Sequence, residues 1–391
     1  MIPRRLVPVL QKCQRQLGSR NIHSTPRCNA AYSPTVRKIR NGQSNQRAAA
    51  APRQNLSVDE ALPPITMLSV AKKSGVIDIE PEKALEFLRE YTKASASSTG
   101  DWEQKLCAEH GVTPFALSIL SGILRRCRAH PQKILAKRLM LSASKLGEKS
   151  ATFELVLSAI KADGLRGNEV QAPLQRLNQL AKTDNEPLAM TLLGKVLMAQ
   201  GREREALEWL RKATQPPTGN IDFDGAGAAL VDEGRALLKL EKLVAANAVF
   251  KQAALELDEP EAYLHLSNFQ EPGSQTQTEY LMKAASSGVV EAWYKLGEHE
   301  FQKITKSELK PEKIGDFGMA REWFQLAADG GSGSAMLYMA QMLRVVGMGE
   351  DGLLWVERAL DVPDVADLAR GMKEQWESRE FNLYDISQAQ G

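Results

Sequence analysis

The sequence predicts an all-α fold, an α-solenoid of helical hairpins preceded by a disordered N-terminal segment. Three observations predict it. Small residues recur at fixed offsets through the C-terminal half, apolar positions from Pro81 onward fall at helical spacing, and no stretch carries the sustained Val/Ile/Thr alternation between turns that a sheet requires. The composition agrees. Hydrophobic residues make up 43% of the 391-residue chain, enough for a sizeable core, while aromatics at 6% argue against a β-sandwich. The longest apolar stretch, Val112 to Leu124, is broken by Thr, Pro and Ser and stops at Arg125, short of the roughly 20 residues a spanning helix needs.

Charge divides the chain. Residues 1–58 hold eleven Lys or Arg and no acid, leaving 39 basic and 48 acidic residues in the remainder, a net −9. In residues 4–17, helical geometry places Leu6, Val9, Leu10, Cys13 and Leu17 on one face and Arg4, Arg5, Lys12 and Arg15 on another. An Arg-rich, acid-free amphipathic start predicts a mitochondrial transit peptide over residues 1–29. Arg20-Asn21-Ile22-His23-Ser24-Thr25 resembles the two-step mitochondrial processing motif. That resemblance implies a first cut after Asn21, loss of an octapeptide ending at Asn29, and a mature chain beginning near Ala30. Cys107 and Cys127 would then be the remaining cysteines of the original four. Their spacing fits a reduced compartment, the matrix or the matrix face of the inner membrane.

Residues 30–56 are Arg, Ala, Gln, Asn, Ser and Pro with few large apolar residues, and they predict a disordered linker. An N-terminal helical region is expected over 57–184. Ser57 and Glu60 have the spacing of a capping box, limited by Pro63 and Pro64. Ala84, Leu85, Leu88 and Tyr91 define one face of a helix from Pro81. Asp101 is expected to cap a helix that Gly111 stops, Thr113-Pro114 to open the next, and Pro131 and Gly147 to bracket a third.

The array itself spans 185–363, with a C-terminal helix and tail over 364–391. Gly194 is followed at offsets 12, 16 and 19 by Ala206, Leu210 and Ala213, and Gly234 by Ala246, Phe250 and Ala253. Ala340 is followed in the same way by Gly352, Val356 and Ala359. Gly297 is followed by Ala320, Phe324 and Ala327, the same set delayed by an 11-residue insertion, and a looser copy runs from Pro260 to Gly288. Gly, Ala or Ser at a crossing lets two helices approach, and the large residue fills the gap between hairpins. A single hairpin cannot bury its stripe, so stacking must supply the core. Trp209, Tyr280, Trp323 and Trp355 each lie four residues before the repeat alanine.

On these residues, and on "EYLMKAASSG" at 279–288, "EWFQLAADGG" at 322–331 and "AWYKLG" at 292–297, the chain resembles the tetratricopeptide repeat and its Sel1-like relatives. The resemblance implies a right-handed solenoid whose first helices line a concave groove, with the residue after each small anchor facing into it. It places Lys195, Arg235, Glu298 and Gln341 in that groove, with Lys239, Gln302 and Arg344 one turn on and Tyr294 one turn earlier. Lys195, Arg235 and Lys239 are expected to make the proximal groove basic, suited to an acidic peptide segment.

No HExxH, CxxC, GxSxG or P-loop pattern occurs, and no cofactor or metal is expected. Glu298-His299-Glu300 reads as a solvated helix face, Cys107 and Cys127 as small buried hydrophobes, and the Trp and Met residues as core. Three functions compete: a non-enzymatic scaffold binding a protein, an organellar RNA-binding translation or processing factor, and an enzyme. The net acidic folded part argues against nucleic acid, since phosphate contacts need clustered Lys and Arg. No catalytic constellation supports the enzyme. The architecture and transit peptide together resemble fungal mitochondrial tetratricopeptide factors of respiratory-chain assembly, among them a family that assists export of cytochrome c oxidase subunit 2. That likeness implies peripheral association with the inner membrane.

Overall fold

Local signals set most of the helix ends. In the computed structural model, Thr113 accepts a 3.1 Å bond from the Ala116 amide with Pro114 in the first turn, and Gly111 ends the preceding helix at φ 64°. Ser274 and Ser332 cap later helices through the amides of Gln277 and Ala335. Asp101 holds the N-cap position as expected, but its side chain makes no capping bond.

The structure describes residues 58–376, except 98–99, 217–218, 220 and 307–310. Arg20, Asn21 and Asn29, with the expected transit peptide and linker, lie outside the described residues, as do Ser57 and the tail beyond 376. Among the described residues the fold is all-α, with eighteen helices and no strand. In order they are α1 Ile65–Lys73, α2 Pro81–Ser97, α3 Trp102–His110, α4 Pro114–Arg125, α5 His130–Lys145, α6 Lys149–Lys161, α7 Asn168–Lys182, α8 Pro187–Ala199 and α9 Glu203–Thr214. There follow α10 Ala226–Lys239, α11 Leu243–Leu257, α12 Pro260–Ser267, α13 Gln275–Ser286, α14 Val290–Thr305, α15 Gly318–Asp329, α16 Gly333–Val345, α17 Gly349–Ala359 and α18 Ala366–Glu374.

The described chain divides into two compact units, 58–246 and 247–376. The division falls within α11, inside the stretch expected as one array. In the first unit, α4 packs on α5 and α8 on α9, and each later helix leans on its neighbours in sequence up to α10. Its core holds Phe87, Leu88, Tyr91, Leu117, Leu120 and Leu139 under the first helices and Leu177, Leu193 and Ala206 further on. In the second unit the helices from α12 to α18 pack in the same sequential way. Phe301, Phe324, Tyr338 and Val356 are central to its core.

The small residues sit where close approach requires them. A Cβ added at Gly194 would lie 2.6 Å from Leu210, and one at Gly297 would lie 2.7 Å from Phe324. Each glycine thus faces the large residue of its own repeat, across the insertion in the second case. Ala206, Ala246, Ala253 and Ala327 are fully buried. Cys107 and Cys127 are buried, and burial pushes the Cys107 thiol up to about 11. Of the four repeat aromatics only Trp323 is buried; Trp209, Tyr280 and Trp355 are half-buried. Lys212 lies 4.1 Å over the Trp209 ring and Arg358 4.1 Å over Trp355, so a cation three residues on covers the exposed face.

Candidate functional site

The residues placed in the groove fall into two clusters, one in each unit. In the first unit, α8 and α10 bring Lys195 and Arg235 to one carboxylate. Asp232, on α10 one turn before Arg235, lies 3.0 Å from Lys195 Nζ and 3.6 Å from the Arg235 guanidinium. Lys239 lies 3.9 Å from Glu203 of α9. Beside them Glu233 is 1% exposed and accepts bonds from Arg211 Nε at 3.2 Å and from the Thr214 hydroxyl at 2.6 Å. The expected basic patch is thus partly neutralised. Its three cations meet two carboxylates, Asp232 and Glu203, so one positive charge remains among them. The spacing of Asp232 and Arg235, three residues apart on a helix, is the signal in the sequence that predicts this pairing.

In the second unit, α14 and α16 bring Tyr294 and Glu298 together with Tyr338. The Tyr294 hydroxyl donates to Glu298 Oε1 at 2.6 Å, and Tyr338 also hydrogen-bonds Glu298. Tyr338 stacks on Phe324 at 4.5 Å with the rings 7° from parallel, so its hydroxyl is held by the core. Burial raises the Glu298 carboxyl above its usual value of 4.5, partly offset by the two phenols and by Lys295. The Tyr294 hydroxyl is raised by burial and by the facing carboxylate, and Tyr338 is pushed up to about 12 for the same reasons. The solvated-face reading of Glu298-His299-Glu300 is thus corrected at its first residue. His299 is half-buried, and its imidazole is lowered, first by burial and then by Lys303. Glu300 is paired with Lys303 at 2.9 Å.

Gln341 follows Tyr338 by one turn of α16. It is 1% exposed, and neither its amide oxygen nor its amide nitrogen has a hydrogen-bond partner among the described residues. Arg344, one turn further, lies 5.2 Å over the ring of Trp376. Gln302 stands apart from the cluster and is exposed. Sequence reasoning missed Asp232, Glu233, Tyr338 and Trp376. Asp232 and Tyr338 had a simple signal, each lying three residues before an expected groove residue, Arg235 and Gln341.

The arrangement offers hydrogen bonding and charge. No group of three or more His, Cys, Asp or Glu among the described residues is placed to hold a metal ion. No single helix among them is long and apolar enough to cross a membrane. The chain matches no protein-family model and no curated protein sequence.

Proposed function

We propose that this protein is a non-enzymatic mitochondrial scaffold or assembly factor. It binds a protein segment on the first helices of a right-handed tetratricopeptide or Sel1-like array. The observation that carries the reading is the repeated crossing, with Gly194 against Leu210 and Gly297 against Phe324 at equivalent positions. Packing of each helix on its neighbours in sequence is what such an array requires. The exposed ends of these helices then supply the binding surface. Gln341 lies beneath this surface, buried with both amide atoms unbonded, and becomes a contact for a peptide backbone where binding displaces the side chains that cover it.

The acid-free basic segment over residues 1–58 supports a location in the mitochondrial matrix or on the matrix face of the inner membrane, where the scaffold would associate peripherally with the membrane. Respiratory-chain biogenesis, cytochrome c oxidase in particular, is the pathway that this location and build favour. Affinity purification from mitochondria, with and without RNase, tests the reading. Recovery of respiratory-complex subunits irrespective of RNase is the expected result, and RNA-dependent recovery of ribosomal or transcript partners would overturn it. N-terminal sequencing of the same material should begin near Ala30.

A further inference from the structure

The first unit carries a half-open chamber that the groove reading does not use. It lies among α4, α5, α6 and α7 and has a volume of about 880 Å³, within the range of roughly 300–1,000 Å³ typical of small-molecule sites. Its floor is aliphatic, and Met140, Ala159 and Pro173 there are buried. Small residues, among them Ala159, Ala162, Gly164 and Gly167, leave the space open. Pro173 has no N–H, so it cannot close the usual helical bond to the Glu169 carbonyl, and both residues line the chamber.

The rim is charged in a particular way. Arg125 of α4 pairs with Glu154 of α6, and Lys137 of α5 pairs with Glu169 of α7. These two ion pairs leave one cation over. Lys133, one turn before Lys137 on α5, is exposed and has no carboxylate partner among the described residues. The rim therefore carries one uncompensated positive charge above an apolar floor. The lining contains no aromatic residue, no histidine and no cysteine. No aromatic face is offered to a nucleobase or a flavin ring, and an aliphatic ligand loses nothing by that.

We propose that this chamber binds a single aliphatic chain ending in an anionic head group, the chain lying on the Met140–Ala159–Pro173 floor and the head at Lys133. A fatty acid and a lysophospholipid share this chemistry. Titration calorimetry of the purified full chain with dodecanoate and with lauroyl lysophosphatidate, each below its micelle concentration, distinguishes the two sources by affinity. Binding of one molecule per chain is expected, strengthening by about fourfold per added methylene from decanoate to tetradecanoate. Lys133→Gln is expected to weaken both anions about tenfold while leaving dodecanol unchanged. Ala162→Trp, at the exposed lip, is expected to abolish binding of all three. Ser158→Phe, also on an exposed residue, serves as the blocking variant if Ala162→Trp does not fold. Failure of both anions to bind overturns the proposal, as does wild-type binding by a folded blocking variant. Equal loss of dodecanol in Lys133→Gln overturns the assignment of the head group.

Discussion

Glu233 of α10 is buried and Glu298 of α14 half-buried beside residues expected to face the groove, and their surroundings differ. Glu233 is held by the guanidinium of Arg211 and the hydroxyl of Thr214, and next to it Asp232 sits between Lys195 and Arg235. Each carboxylate there lies beside at least one cation. Glu298 is held by two phenols, and Gln341, one turn after Tyr338 on α16, is buried with both amide atoms unbonded. The first region meets its carboxylates with cations. The second keeps polarity that the fold leaves unsatisfied, an expense that proteins usually accept at sites of use. Under the proposed binding role, this contrast makes α14 and α16 the surface to test first, although the cations on α8 and α10 are the more conspicuous in sequence.

The comparison breaks most easily at Arg211. Replacing it with Ala leaves the Glu233 carboxylate buried with only Thr214, and should destabilise the protein by about 3 kcal/mol, at the low end for a broken buried pair because Arg211 itself is half exposed. Urea denaturation measures this. A midpoint unchanged by Arg211→Ala would show that the α9–α10 network contributes nothing to stability, and the contrast would fall.

Gln341→Leu probes the other side. Removing an unbonded buried amide should stabilise the fold by about 1–2 kcal/mol, read from the same denaturation curves, while weakening partner capture in the purification described above. Both effects together mark a residue kept for binding. Stabilisation with undiminished capture would leave the amide without a role on that surface.

The two glycine crossings sharpen the contrast further. Alanine at either position gains helix propensity of up to about 1 kcal/mol, but must displace its neighbour. At Gly194 the neighbour is Leu210, whose branched end has some freedom to turn. At Gly297 it is Phe324, clamped by its stack on Tyr338. Gly297→Ala should therefore cost about 1 kcal/mol more than Gly194→Ala, and comparison of the two denaturation midpoints checks it.

The parts of the fold that were legible in the sequence are those fixed by near neighbours. Thr113-Pro114, Gly111 and the offsets from Gly194 and Gly297 act within one helix or one hairpin, and the structure uses them as expected. The division within α11 was not legible, because its apolar pattern runs unbroken through 246 and 247. Nor was the state of the site. That Lys195 meets Asp232 and that Gln341 is sealed from water depend on which helices lie alongside, and spacing along one helix does not encode that. Asp101 illustrates the same limit on a small scale, with the right residue in the right place and no bond formed.

The smallest expected effect concerns pH. The Glu298 carboxyl is raised above 4.5 in the folded protein, chiefly by burial, so the folded state holds this proton more tightly than the unfolded chain does. Where the unfolded carboxyl has ionised and the folded one has not, the folded state binds the extra proton, and stability must fall as pH rises. The stabilisation is complete below 4.5 and is lost as pH climbs through the raised value. Glu298→Gln removes the titration while keeping an acceptor for Tyr294 and Tyr338. The variant should match the wild type at low pH and become the more stable of the two above that window. His299 works in the opposite direction, since its lowered imidazole makes stability fall as pH drops below 6.5. Denaturation midpoints of wild type, Glu298→Gln and the double variant with His299→Gln, followed from pH 4 upward, separate the two residues. A constant difference between wild type and Glu298→Gln across that range would mean that Glu298 titrates as an exposed carboxylate, and would remove the electrostatic half of the contrast with Glu233.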